Sequence, residues 1–301
     1  MKFYLGTHQP SWLARDLGVP FLVSHRRLAG RRTLPRASSS WALDSGGFTE
    51  LSLHGRWRTD AATYVKAVRR YATEIGNLDW AAPRDRMTED HVLARTGLSL
   101  RTHQHLTVVD YLRLRDLDPE LPFIPVLQGQ SITDYHRCAD MYEERGVDLT
   151  ALPLVGVGSV CRRQHTVEVE RIVRSLAARG YKLHAFGAKV LGLARYADAI
   201  ASSDSASWSL RGRHVPGCTS THRSESNCLQ FAMDWHTRLL ATLAPSALAE
   251  QQPATAQSEL PSRSTVPDLA DRRRIRLVGP TNHTPQERLD HRSELAPRYA
   301  A

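Results

Sequence analysis

Short apolar runs alternate with longer amphipathic stretches from the start of the chain to about residue 210. The apolar runs fall at residues 3–6, 20–23, 41–43, 78–81, 123–127, 154–157, 183–186 and 199–201. Each is too short for a helix and predicts a buried strand. Between several of them, residues 61–74, 100–117, 133–145, 167–179 and 188–196 place apolar side chains at helical spacing and predict helices. Strand–helix alternation implies a parallel sheet. Eight such strands point to an α/β fold of the (β/α)8 TIM-like barrel type rather than an open doubly wound sheet. No GxGxxG or P-loop pattern follows an early strand, which weakens a dinucleotide-binding alternative.

The texture changes at Ala244. Segments such as Glu250-Gln251-Gln252-Pro253-Ala254-Thr255 lack periodicity and aromatic anchors, the composition of a chain that cannot bury enough apolar surface to order itself. The expected organisation is a barrel over residues 1–243 and a disordered polar, basic tail over 244–301. The Asp271-Arg272-Arg273-Arg274-Ile275-Arg276 cluster in that tail suits nucleic acid, but such clusters are more often solvated.

Two of the apolar runs end in an aspartate followed at once by small residues: Asp44-Ser45-Gly46-Gly47-Phe48 and Asp204-Ser205-Ala206-Ser207-Trp208. A lone Asp-Ser-Gly-Gly is usually a turn, because Asp and Ser bond nearby backbone and Gly accepts positive φ. In a barrel, however, carboxylates at C-terminal strand ends are where catalysis is found. Thr7, His8, Asp79, Gln128, Gly156 and Gly158 stand at the ends of other runs. All of these are expected to converge on one mouth.

Composition narrows the function classes. No stretch approaches the roughly 20 apolar residues of a membrane helix. The opening Met1-Lys2-Phe3-Tyr4-Leu5-Gly6 enters a strand-like run at once, without a secretory pattern, so a cytoplasmic protein is expected. Four cysteines (Cys138, Cys161, Cys218 and Cys228) are too few for a disulfide scaffold in 301 residues. The net charge is +9, and four of the 40 Lys and Arg residues are lysine. Arginine codon bias explains much of that skew; arginine's planar fork also suits phosphate, and a strongly basic chain fits a nucleic-acid partner.

In motif order the chain resembles the tRNA-guanine transglycosylase superfamily, and within it the DpdA-type deazapurine DNA modification proteins. Asp44-Ser45-Gly46-Gly47-Phe48 is similar to the superfamily's DSGGFQ motif, with Thr49 in place of glutamine. Leu78-Asp79-Trp80-Ala81-Ala82-Pro83 is similar to LDIPTP, and Val126-Leu127-Gln128-Gly129 to the VQG segment. Val155-Gly156-Val157-Gly158-Ser159 resembles the glycine-rich strand end. Phe186-Gly187-Ala188 with Asp204-Ser205-Ala206-Ser207 resembles the FGAG and DSASY pair. Residues 6–13 (Gly6-Thr7-His8-Gln9-Pro10-Ser11-Trp12-Leu13) and the Gly158-Ser159-Val160-Cys161-Arg162-Arg163-Gln164 string resemble DpdA-type chains specifically.

The resemblance implies exchange of guanine in DNA for a 7-deazaguanine such as 7-cyano-7-deazaguanine. Asp204 would be the nucleophile and Asp44 the proton carrier, two carboxylates in the logic of a retaining glycosidase. Asp79 and Gln128 would read the base edge. Gly156 and Gly158 would let backbone approach the flat base, and Phe48 or Trp80 would stack on it. Arg162, Arg163, Arg211 and Arg213 are the phosphate-contact candidates, although any one of them can be simply solvated.

The resemblance also implies a structural zinc in the segment 218–236. Cys218, His222 and Cys228 are the expected ligands, with Glu225 where a cysteine is usual and His236 within reach of the segment. The implied partners are DNA, the deazaguanine base, further modification proteins and a second copy in a homodimer. Alternative readings are a tRNA-guanine transglycosylase, a catalytically inactive nucleic-acid-binding relative, and an unrelated barrel such as a sugar hydrolase.

Overall fold

The computed structural model describes residues 1–243. In chain order the elements are β1 (Lys2–Thr7), β2 (Phe21–Ser24), α1 (His25–Leu28), β3 (Trp41–Asp44), α2 (Gly47–His54), α3 (Ala61–Glu74) and β4 (Leu78–Ala81). Then come α4 (Asp90–Thr96), α5 (Leu100–Leu117), β5 (Val126–Leu127), α6 (Ile132–Glu143), β6 (Val155–Val157) and α7 (Val167–Ala177). The last are β7 (Leu183–Ala185), α8 (Val190–Tyr196), β8 (Ser202–Ser205), α9 (Ser207–Gly212) and α10 (Leu229–Leu243). The tail expected over 244–301 lies outside the described residues.

The eight strands are parallel, in the order β4-β3-β2-β1-β8-β7-β6-β5. The sheet curls until its edges meet: Ala81 pairs with Phe123, Ala81 N–H donates to Pro122 O at 2.9 Å and Ile124 N–H to Ala81 O at 3.2 Å. A (β/α)8 arrangement results, as the alternation of short and long apolar segments predicts.

Strand side chains alternate between two apolar layers, as a pleated strand requires. Phe3, Leu5, Phe21, Val23, Trp41 and Leu43 face outward into the main core beneath the helices. Tyr4, Leu22, Ala42, Trp80, Ile124 and Leu154 fill the barrel interior, with Phe186 against them. The helices close on the outer layer through residues such as Tyr64 and Val68 of α3, Val169 and Ile172 of α7, and Leu239 of α10. Side-chain caps at Asp60, Ser99, Ser131 and Thr166 start α3, α5, α6 and α7.

The strand expected at 199–201 lies elsewhere. Ala197–Ala199 is a single 3-10 turn, and the eighth strand is the polar run Ser202–Ser205, buried throughout. Within the segment 123–127, regular pairing with β6 is confined to Val126 and Leu127. No helix among the described residues is long and apolar enough to cross a membrane.

Candidate active site

Alternation carries two acids inward at the C-terminal end of the barrel. Asp44 ends β3, two residues after the inward Ala42 and in register with Ser24 of β2. Asp204 lies within β8, in register with Tyr4 of β1. Both are therefore strand residues, fixed by ladder hydrogen bonds rather than carried on a loop.

Asp44 is half-buried. Gly46 N–H donates to its Oδ2 at 3.1 Å, and the Ser24 side chain also bonds it. Burial raises the Asp44 pKa; the Ser24 bond opposes that, and the negative charge of Asp204 adds to it. Gly46 adopts φ 79°, and a Cβ there would meet Arg26 Cγ at 2.8 Å. The glycine thus lets the Arg26 stem lie across the turn, where its charge partly offsets the upward shift of Asp44.

Asp204 is buried, and its Oδ1 accepts the Gly187 N–H at 2.9 Å. His184 Nε2 lies 3.2 Å from the same oxygen, and His184 Nδ1 lies 2.9 Å from Ser202 Oγ. Neither histidine nor serine figured among the expected site residues.

Asp79 does not join this group. It is the second residue of the four-residue β4, so it faces the N-terminal end of the barrel. There its carboxylate accepts from Lys2 Nζ at 2.6 Å and from the Tyr4 hydroxyl at 2.9 Å. It lines a separate cavity of about 370 Å³ with Arg115, Phe123 and Leu154. The carboxylate that β4 delivers to the mouth is Asp85, four residues past the strand. Asp85 is buried; Ser45 donates to its Oδ1 at 3.2 Å and Gln128 Nε2 to its Oδ2 at 2.7 Å. Burial, and then the charge of Asp44, push the Asp85 pKa up to about 7.

Gln128 is fully buried and held at both ends of its amide. Its Oε1 lies 2.6 Å from Ser159 Oγ, which also accepts the Thr88 N–H at 2.8 Å and lies 3.1 Å from Glu89 Oε2. Ser159 adopts φ 55°; the cost of a non-glycine residue there, roughly 1 kcal/mol or more, is offset by these bonds.

Gly156 and Gly158 make room for neighbours. A Cβ on Gly158 would meet Gln128 Cδ at 2.8 Å, and one on Gly156 would meet Phe186 Cε2 at 2.7 Å. The Gly158 carbonyl is taken by the Tyr135 hydroxyl at 2.6 Å. These glycines shape the pocket by admitting the Gln128 amide and the Phe186 ring.

The rim is aromatic and basic. Phe48 is 39 % exposed, with the Arg162 guanidinium 5.6 Å above its ring and His91 at 5.7 Å. Trp80 is instead buried among Tyr4, His184 and Phe186. Arg162, Arg211 and Arg213 are exposed. Arg163 is engaged with the carbonyls of Gly129 and Gln130 and with Glu168, which braces the loop behind Gln128. Half-buried His8 has its pKa lowered by burial and then by the charges of Arg27 and Arg213.

Cys218, His222, Glu225 and Cys228 meet between α9 and α10, with one donor atom from each within 4.8 Å of the others. Cys218 Sγ lies 3.7 Å from Cys228 Sγ and 3.4 Å from His222 Nδ1. A tetrahedral ion with about 2.3 Å bonds to sulfur and about 2.0 Å to nitrogen gives edges of roughly 3.8 and 3.5 Å. The donor set and spacing fit a metal ion. His236 is packed against Phe3 at 5.8 Å and is not part of the cluster. Cys138 is buried and Cys161 half-buried, both free thiols.

Among curated proteins, none matches this chain. The family model described as DpdA, DeoxyPurine in DNA protein A, matches residues 1–264, a span that takes in all eight strands of the described residues, Asp44, Asp85 and Asp204 at the mouth, and the four-residue metal-type cluster. The chain belongs to the DpdA family.

Proposed function

We propose that this protein is a base-exchange transglycosylase that replaces guanine in DNA with a 7-deazaguanine through a covalent aspartyl–sugar intermediate. Membership of a family described by deoxypurine in DNA supports the substrate. The observation that carries the chemistry is the pairing of Asp44 and Asp204 at the mouth in unlike environments, with the charge of one raising the pKa of the other. Two carboxyls with separated proton affinities divide nucleophile from acid and base.

Asp204 attacks C1′ as the carboxylate, the C1′–N9 bond breaks, and the electron pair leaves on guanine N9. Asp44, whose proton affinity is raised by burial and by its neighbour's charge, gives that nitrogen its proton. The deazaguanine then enters, Asp44 takes the N9 proton back, and N9 attacks C1′ from the opposite face. The ester bond to Asp204 breaks and the carboxylate is restored. Two inversions keep the sugar configuration.

Asp85 and Gln128 read the guanine-like edge, so the role expected of Asp79 passes to Asp85. A buried carboxylate facing ring N–H and amino donors rejects analogues that leave it unpaired. Phe48 and Arg162 meet the target nucleotide, which leaves the base stack to reach the pocket. Cys218, His222, Glu225 and Cys228 would hold a zinc ion, which would supply a structural clamp beside α9, the helix that follows the nucleophile strand.

Nucleoside mass spectrometry on DNA and tRNA from cells supplied with 7-deazaguanine tests this reading. A deazaguanine deoxynucleoside is expected in DNA, and Asp204→Asn abolishes it together with any DNA–protein adduct. Activity retained in that variant removes Asp204 as nucleophile; modification in tRNA alone moves the substrate to RNA.

A further inference from the structure

The two oxygens of Asp204 are in different states. Oδ1 accepts the Gly187 N–H at 2.9 Å and faces His184 Nε2 at 3.2 Å. Among the described residues, Oδ2 makes no hydrogen bond. An ionised carboxylate only accepts, so Nε2 must carry the proton. On the far side of the ring, Nδ1 lies 2.9 Å from Ser202 Oγ. Ser202 Oγ has no other hydrogen-bond partner among the described residues, so its one proton is available to Nδ1. With the hydroxyl donating to Nδ1, the ring presents Nε2–H to Oδ1 of Asp204. Tyr4, Trp80 and Phe186 enclose the ring at 6.0, 4.5 and 4.6 Å, and the imidazole is fully buried. Ser202 and Asp204 are both inward residues of β8, two apart, while His184 stands on neighbouring β7 opposite Ser202. The strand register alone therefore aligns serine, imidazole and carboxylate.

We propose that His184 is a positioning residue for base exchange, resting on the transglycosylase reading above. Held by Ser202, it fixes Oδ1 of Asp204, so that Oδ2 is the atom that bonds C1′. The same contact acts most strongly in the second half of the reaction. In the ester, Oδ1 is an uncharged carbonyl oxygen. When N9 of the incoming base displaces the ester, the C1′–Oδ2 bond breaks and its electron pair returns to the carboxylate, where Oδ1 shares the charge. Donors already aimed at Oδ1 stabilise that developing charge without rearranging. Gly187 N–H is the second such donor.

The experiment compares wild type with His184→Leu and His184→Gln, using a guanine-containing DNA and a 7-deazaguanine, with adduct formation and adduct breakdown timed separately. His184→Leu, which removes the donor, is expected to slow breakdown roughly ten- to a hundredfold and to accumulate adduct. His184→Gln, whose amide can donate toward Oδ1, is expected to restore most of the breakdown rate. A purely structural role would slow both steps alike and would show no rescue; that result, or unchanged breakdown in His184→Leu, overturns the proposal. Nitrogen-15 NMR of wild type, with the His184 signals assigned by their loss in His184→Gln, reads the tautomer directly. A protonated Nδ1 or a bare Nε2 also overturns it. If wild type forms no adduct and exchanges no base while its His184 signals show the Nε2–H form, the transglycosylase reading is what has failed, and the positioning role falls with its premise.

Discussion

Asp85 sits between Arg84 and Arg86, yet both guanidinium groups turn away from it. Arg84 reaches Asp110 Oδ1 at 3.1 Å and Arg86 reaches Asp110 Oδ2 at 2.5 Å, so Asp110 of α5 pins the loop from both sides and leaves the Asp85 carboxyl to burial. Its pKa, raised to about 7, has a consequence for stability. Between the unfolded carboxyl value near 4 and the folded value, the folded state holds more protons than the unfolded one. Stability therefore falls as pH rises through that window and levels off above it. At about 1.4 kcal/mol per unit, the full effect is ~4 kcal/mol at most. Asp85→Asn cannot ionise, so its urea midpoint should come closest to wild type at about pH 4 and below, exceed it by a growing margin up to about pH 7, and by a constant margin above that. Parallel curves for the two proteins would show that Asp85 ionises freely. The same residue shows why part of the site was hidden in the sequence. Asp79 lies in a recognisable motif, whereas Asp85 stands in an Arg-Asp-Arg string that reads as a solvated turn. Only folding shows that both arginines serve a residue 24 and 26 positions away.

At the scale of elements, apolar runs located seven of the eight strands, because each carries outward-facing residues that must bury under helices. β8 escaped for a physical reason. Its inward residues are Ser202 and Asp204, and its outward Ser203 is buried with its hydroxyl on the Ala185 carbonyl at 2.9 Å. A strand built of serines and an aspartate, its Ser202 and Ser203 hydroxyls paired with neighbouring groups, has no hydrophobic signature, and the apolar Ala199-Ile200-Ala201 run beside it drew the assignment. The cluster after α9 was expected from the family resemblance, with Glu225 as the departure from its pattern. Its loop is closed by the Pro216–Ser224 bridge, and Gly217 lies so close to the His222 carbonyl that any Cβ would overlap it. Gly217→Ala should therefore open the ligand set. Elemental analysis is expected to find about one zinc per wild-type chain and clearly less in the variant. Chelation should lower the wild-type Tm, by about 2–4 °C for each kcal/mol of binding energy lost, and lower that of Gly217→Ala less. No metal in wild type and no response to chelator would mean that the cluster holds no ion; one zinc in both proteins would mean that Gly217 does not set the ligand geometry.

Over the whole molecule, charge is distributed between the two ends of the barrel. At the N-terminal end Lys2 is spent on Asp79. At the C-terminal mouth, Arg26 and Arg27 of α1, Arg162 of the segment after β6, Arg211 of α9 and Arg213 just past it are exposed, in a chain of net charge +9. On the proposed function, DNA phosphates meeting this rim would release counterions, and each neutralised phosphate would add about 0.9 to the slope of log affinity against log salt on duplex DNA. Arg162, stacked on Phe48, and Arg163, bound to the carbonyls of Gly129 and Gln130, are adjacent in sequence but should behave differently. Arg162→Ala should reduce the salt slope by about one and weaken binding evenly across DNA sequences, with Tm unchanged. Arg163→Ala should leave the slope near wild type while lowering Tm and exchange activity, because the loop carrying Gln128 loses its brace. Arg174, paired with Asp198 and Glu170 on the helical surface, serves as the control that changes neither slope nor exchange. Binding measured from 50 to 300 mM salt separates these outcomes. A slope lowered equally by all three variants would mean that net charge alone draws DNA to this protein, with no rim built to receive it.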